Sequence, residues 1–376
     1  MEIKVLGVAE ASEWHEYLKK LRTADIYFTP EYCRIYEENG EGIAQLFIYK
    51  DGNQFIYYPY ILREIHYSHG PTANKDANLY DITTPYGYGG PLTNAEGREA
   101  RIKIFSDFED VFHQYCVDQH IISEFVRFHP LLCNYEDYSA VEPTFIRNTI
   151  YIDLRLSADE LWSNYSKNNR NRIRRSQKED LTVTVGKYED MEAFIRLYYS
   201  TMEKKQADDY YYFSKKFMWN TVDFLQGNID LMEVSYGNQV IASCLFMHYD
   251  NYVHYHLMGS DQQYLSYCPV NLLIHRAALW AKEKGYQFLH LGGGYEDNDN
   301  LLRFKRGFNV LDTANFYIGR KIHCLESYHW ILQQMQLNLD HGNTYFPAYR
   351  QQRHEDVGIA ISLNDTGDYR TRGVIQ

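Results

Sequence analysis

Nowhere in these 376 residues do about eighteen apolar residues run together, so the sequence offers no membrane-spanning helix. The opening stretch, MEIKVLGVAEASEWHEYLKK, lacks the apolar core of a secretory signal, which points to the cytosol and to no stable membrane insertion. Cysteine is sparse: Cys33, Cys116, Cys133, Cys244, Cys268 and Cys324 form no CxxC pair and no Cys/His spacing of a zinc knuckle. Reduced, mostly buried thiols are expected, and no metal site. There is no GxSxG elbow and no Cys/His signature of an acyl-enzyme. Positive charge is also short. Thirty-eight basic against fifty acidic residues give a net charge of −12, which argues against an indiscriminate binder of nucleic acid or membrane surfaces. An anionic ligand must therefore meet a local basic patch.

What is present is a chain long enough for two cores, with 45% hydrophobic and 23% charged residues and no sign of disorder. The 36 Tyr against 19 Phe and 5 Trp favour half-buried strands and wet clefts, because a Tyr ring packs while its hydroxyl seeks a polar partner. Residues 44–62 read as a hairpin about the turn Asp51-Gly52-Asn53. A second meander follows the same plan from 229 to 259, with turns at Tyr236-Gly237-Asn238 and Asp250-Asn251. Each is followed by a helix and a strand, roughly 99–120 then ISEFVRF, and 269–284 then QFLHLG. This is the pattern of a diverged duplication. Between the halves, Ser157 and Glu160 make a capping box that predicts one helix from near Ala158 to about Lys178. A further helix is predicted from Pro269 to a stop at Gly285, with Val270, Leu273, Ile274, Ala277 and Ala281 on its apolar face.

Two features carry chemistry without reference to any relative. From Lys167 to Lys178 there are six basic residues and no acidic one. At 100° per residue Lys167, Arg170, Arg174 and Lys178 share a face that could grip a diphosphate or a tRNA end, or simply be solvated. His254 and His256 share a strand face; a metal pair lacks a third ligand, and His256 is the better acid/base candidate.

Several blocks resemble the FemABX family and its relatives in the GNAT superfamily. They are LWSNYSKNNRNRIRRSQKEDLTVTV at 161–185, HYHLMGSDQQYLSYCPVNLLIHRAALWAKEKGYQFLHLGGG at 254–294, LLRFKRGFN at 301–309 and TTPYGYGGPL at 83–92. Asn309 stands where the family's FKxxFG pattern has Gly. The resemblance implies an α/β fold with mixed sheets, built as two tandem GNAT-like domains (1–152 and 153–335) and a C-terminal extension (336–376). It implies a cytoplasmic acyltransferase acting on an amine of a cell-envelope precursor, in peptidoglycan or surface-polysaccharide synthesis. No tightly bound cofactor is implied; the donor would be aminoacyl-tRNA or acyl-CoA, and the acceptor a nucleotide- or lipid-linked sugar or peptide.

In such folds the donor lies where two parallel strands splay, here 252–258 and 286–291. Gly292, Gly293 and Gly294 follow the second of these strands; without Cβ atoms they let a backbone approach a ligand and offer amide donors. Lys305, between Phe304 and Phe308, would meet phosphate or the transfer site, and Asp297 could take the amine proton. Tyr255 matches an aromatic position of the family. Where the family often has an arginine before aromatic residues, this chain has Lys204 and Lys205 ahead of Tyr210, Tyr211 and Tyr212, so Lys204 and Tyr211 are the substrate-binding candidates there. The loop SDQQYLSYCPVN lacks the glycines of a coenzyme A pyrophosphate cradle, and the paired helices that some relatives use to contact tRNA are not visible. Two alternatives remain open: an acyl-CoA-dependent N-acetyltransferase of an amino sugar, and a non-catalytic binding protein that kept the fold.

Overall fold

The computed structural model describes residues 1–66, 78–186, 191–205, 212–294, 299–337 and 345–351. The first half runs β1 (Glu2–Gly7), α1 (Ala11–Leu18), α2 (Pro30–Glu38), β2 (Ile43–Asp51), β3 (Gln54–Glu64), β4 (Tyr80–Thr83), β5 (Leu92–Thr93), α3 (Arg98–Asp118), β6 (Ile121–Arg127) and β7 (Thr144–Asp153). Two short helices follow, α4 (Ala158–Asn164) and α5 (Lys167–Ser176). The order then returns as β8 (Leu181–Gly186), α6 (Met191–Lys205), α7 (Lys215–Phe224), β9 (Ile229–Tyr236), β10 (Gln239–Tyr249), β11 (Tyr252–Ser260), α8 (Pro269–Glu283), β12 (Phe288–Gly292), α9 (Asn300–Arg306), β13 (Ala314–Ile322) and α10 (Leu325–Gln334). In each half two helices separate the first two strands, and one long helix crosses over before the last strand of the parallel pair. The repeated order thus extends to whole halves of the described chain.

Local sequence accounts for the elements. The hairpin of β2 and β3 closes with Asp51 opposite Gln54, so Gly52, at φ +58°, and Asn53 make the loop. Helix α8 starts on Pro269, buries Val270, Leu273, Ile274, Ala277 and Ala281, and stops before Gly285 at φ +89°. The single helix predicted over 158–178 is in fact two. Tyr165 takes an extended conformation, and Ser166 begins a new helix by accepting from the Asn169 amide at 3.1 Å. A second N-cap inside the predicted span outcompetes continuation.

Among the described residues twelve strands form one continuous path, β1-β2-β3-β4-β6-β13-β7-β12-β11-β10-β9-β8, with β5 paired to β3 off it. The closing strands are exchanged: β7 lies against β12 of the second half, β13 against β6 of the first, and the two pair antiparallel with each other. One face of the sheet carries a core common to both halves, in which α2 meets α7 and the rings of Tyr36 and Phe217 stand 5.7 Å apart. The other face of the second half is filled by α8, with Ile150, Val253 and Leu289 beneath it.

The parallel pair of the first half is zipped. β4 follows β6 from Tyr80/Ile121 to Thr83/Phe125, and a further bridge joins Gly89 to Phe128. Below it the described part of the C-terminal extension docks: Tyr349 Oη lies 2.6 Å from Ser123 Oγ, and Arg350 donates to Asp81 at 2.8 Å and to the Glu64 carbonyl at 2.8 Å. Arg63 donates to the other Asp81 oxygen at 2.6 Å. Burial would raise the Asp81 carboxyl, but Arg350 and Arg63 outweigh it and hold it below the usual range. Replacing Asp81 with Ala leaves two guanidinium groups uncompensated and is expected to destabilise the fold by about 3–5 kcal/mol, read as a lowered urea midpoint with unchanged slope.

Candidate active site

Where the first half is zipped, the second is open. β11 and β12 pair in parallel at Tyr252/Phe288, Val253/Leu289 and His254/His290, and no further. At that level each strand also carries an irregularity on its other edge. His256 is skipped where β11 pairs with β10, and Leu291 is skipped where β12 pairs with β7. A bulged residue bends its strand and increases the local twist, so two bulges side by side drive the pair apart. Gly292, at φ +74°, then turns the chain out of the sheet.

The splay opens a cavity of about 240 Å³ lined by His254, Tyr255, His256, the glycines 292–294 and Lys305. Of the residues singled out from sequence, His256, Tyr255, Gly292, Gly293, Gly294 and Lys305 are brought together here. Lys305 is 8% exposed and donates to the Gly293 carbonyl at 2.6 Å, while Arg147 on β7 donates to the Gly294 carbonyl at 2.7 Å. Two cations therefore shape the glycine loop. Asp299 caps α9 by accepting from the Leu302 amide at 2.6 Å, which fixes the helix that carries Lys305. Burial, and to a lesser degree His254, pushes His256 down to about 3, so it enters neutral chemistry uncharged. His290, also depressed by burial, pairs its Nε2 with Thr149 Oγ1 at 2.9 Å.

A second pocket lies beside the first. Tyr255, Met258 and Leu301 line both the cavity and this groove on the α8 side, bounded by Asn168, Asn171, Arg172, Arg175 and the first turn of α8. The basic helix does reach the groove, but with a different face from the one predicted. Arg170 turns back to donate to the carbonyls of Trp162, Ser163 and Tyr165, capping the end of α4, and Arg174 stacks over the Trp162 ring at 5.3 Å. Lys178 is exposed beyond the helix end. Lys204 is exposed at the end of α6, whose Tyr198 and Met202 line the cavity. That helix can lie on β11 because Gly259 has no Cβ; one built there would come within 2.3 Å of the Leu197 backbone. Asp297 and Tyr211 lie outside the described residues.

Sequence reasoning missed the first half's contribution. Tyr27, Tyr86 and Tyr88 form a wall of the cavity, the last two from the TTPYGYGGPL segment, which had been noticed only as a family likeness. Asp25 and His129 reach the same place: Asp25 Oδ2 is 2.6 Å from both His129 Nε2 and His254 Nε2. No local motif announces either residue. These three groups could in principle hold a metal ion, their ligand atoms lying within 4.8 Å of one another. However, ligands about 2.0–2.1 Å from a tetrahedral zinc stand about 3.3 Å apart, whereas 2.6 Å is a charge-assisted hydrogen bond.

Residues 163–306 match the family described as an acetyltransferase (GNAT) domain. Among solved structures, FemX is similar over 89% of this chain and 100% of its own, with a TM-score of 0.65 and 12% identity. A conserved protein of unknown function from Bacteroides thetaiotaomicron is similar over 85% and 99%, with a TM-score of 0.55 and 10% identity. The C-terminal domain of a putative lysylphosphatidylglycerol synthetase from Agrobacterium fabrum is similar over 88% and 96%, with a TM-score of 0.52 and 12% identity. No curated protein matches the sequence. Residues 163–306 thus carry an acetyltransferase domain of the GNAT type, and the fold of the chain is similar to that of FemX.

The half-buried His256 makes a checkable statement about acid stability. Folded, it stays neutral to about pH 3; unfolded, it takes a proton near its ordinary 6.5. Between those values the unfolded chain binds more protons, so this contribution is complete above the upper value and lost as pH falls through the window. His256→Gln is expected to flatten the dependence of unfolding free energy on pH there, measured by urea denaturation; superimposable slopes would show a solvated imidazole.

Proposed function

We propose that the chain transfers an acyl or aminoacyl group to an amine of a cell-envelope precursor, on the cytoplasmic side. The observation that carries this reading is the parting of β11 and β12 beyond His254 and His290, where a tyrosine-walled cavity and a basic groove share Tyr255, Met258 and Leu301. Transfer to an amine needs the donor carbonyl held beside the nitrogen, and two adjoining compartments with a common wall suit that placement. The donor's phosphates suit the groove, where Arg172 and Arg175 flank the start of α8. The acceptor suits the opposite cavity, whose Tyr rings pack against sugar or peptide while their hydroxyls bond to it. A nucleotide- or lipid-linked sugar or peptide fits that description. Among the described residues no helix is long and apolar enough to cross a membrane, so a lipid-linked acceptor would be met at the surface. The name of one structural neighbour, a putative lysylphosphatidylglycerol synthetase, is in keeping with an aminoacyl group passed to an envelope component.

The acyl-CoA-dependent reading for an amino sugar has one observation in its favour: the first turn of α8, an amide-rich helix start, opens into the groove. Against it, the residue before that turn is Cys268 at φ +55° rather than a glycine loop. Thermal unfolding separates the donors. Protection by coenzyme A alone favours the second reading; protection by aminoacyl-tRNA favours the first; no protection by either overturns both. Arg172→Ala with Arg175→Ala is expected to lower affinity for the protecting donor at least tenfold and to reduce its salt dependence. Lys305→Met is expected to abolish transfer while donor affinity changes less, measured as kcat against KM.

A further inference from the structure

Where the two halves meet, the sheet buries a carboxylate between two imidazoles. Asp25 precedes the turn Ile26–Phe28 of the first half, His129 follows β6, and His254 lies on β11; all are at most 1% exposed. Asp25 Oδ1 accepts from the Ile26 amide at 2.6 Å, and Oδ2 faces both Nε2 atoms. His129 Nδ1 accepts from the amides of Leu131 and Leu132 at 3.2 and 3.1 Å, so its proton sits on Nε2 and is donated to Asp25. His254 likewise points Nε2 at the carboxylate. Its other nitrogen, Nδ1, is buried without a hydrogen-bond partner, and the residue lines the cavity. An imidazole anchored to a buried carboxylate through one nitrogen, with the other nitrogen bare beside a cavity, is built to take up a proton.

We propose that His254 is the general base of the transfer, with Asp25 and His129 as positioning residues supplied by the other half of the chain. The inference rests on the acyl-transfer reading above. In the step, the acceptor amine attacks the donor carbonyl carbon, the new C–N bond forms, and the C–S bond of a thioester or the C–O bond of a ribose ester breaks. The proton released by the amine passes to His254 Nδ1 and from there to the departing thiolate or alkoxide, so donor and amine become amide and thiol or hydroxyl with no further reactant. Asp25 stabilises the transient imidazolium. Burial would raise this carboxyl, but His254 and then His129 outweigh it and hold it ionised well below the usual range.

The groups that face His254 are Asp25 and His129 from the first half, the Tyr27 ring at 4.8 Å, His290 on β12 at 5.5 Å between ring centroids, and His256 on its own strand. Burial depresses His129, His290 and His256, while His254 is the one of these imidazoles whose Nδ1 is buried without a hydrogen-bond partner.

The full chain is assayed with acetyl-coenzyme A and with alanyl-tRNA as donors and glucosamine 1-phosphate and a lysine-terminated peptide as acceptors. Nitrogen NMR of histidine-labelled protein reads the tautomer in parallel. A bare Nδ1 at His254 in the wild type at pH 7.5 is expected, together with a loss of kcat of at least 100-fold in His254→Gln at nearly unchanged donor KM and melting temperature. Asp25→Asn should lower kcat and move its acid limb to lower pH, because the imidazolium loses its counter-charge; a purely structural Asp25 would leave that limb in place. Active wild type with full activity in His254→Gln overturns this inference alone, as does a protonated Nδ1 or a tightly held divalent metal. Inactive wild type with every donor and acceptor removes the acyl-transfer reading and the base with it.

Discussion

The exchange of β7 and β13 is the constraint on which everything else depends. Each half surrenders its last strand to the other's sheet, so neither ladder is complete without the partner, and the centre of the molecule is an antiparallel pair made of one strand from each. Backbone hydrogen bonds are obligatory for buried strands, so this pairing fixes the relative position of the halves. It also places Arg147, a residue of β7, against the glycine loop after β12, and brings Asp25 and His129 within hydrogen-bond reach of β11.

The two parallel pairs show how the same plan diverged. In the first half the ladder runs to Thr83 and Phe125 and is rejoined by a bridge at Gly89 and Phe128, and buried charge has been sealed in below it by Arg63, Asp81 and Arg350. In the second half, bulges at His256 and Leu291 stop the pairing after three residues. Sealing on one side gives a rigid wall; bulging on the other gives an aperture. The first half sets Tyr27, Tyr86 and Tyr88 against the aperture, the last two from the segment between Thr83 and the bridge at Gly89.

Much of this architecture is written in contiguous residues. Hairpin turns at Asp51-Gly52-Asn53 and Asp250-Asn251, the proline start of α8 and the repeated meander are local signals, and local signals survive without an alignment. The same holds for the glycine run and for Lys305, where a short motif names the residue and its neighbours place it. The helix over 158–178 broke because Ser166 caps a second start within the span, and phase was lost with it. The basic face then reached the groove through Arg172 and Arg175, while Arg170 turned to cap α4. The buried Asp25 and His129 left no trace, since their meaning depends on contacts 104 and 229 positions away along the chain, and no periodicity reports those.

Beside the parted strands β11 and β12 lie two compartments, the cavity and the groove, which share Tyr255, Met258 and Leu301. An enzyme with a single mouth must admit and discharge its ligands in turn. Two compartments sharing one wall would let donor and acceptor be resident together. For the reaction proposed, initial-rate plots should intersect as a ternary complex requires, and a spent donor can leave by the groove while its product still occupies the opposite chamber.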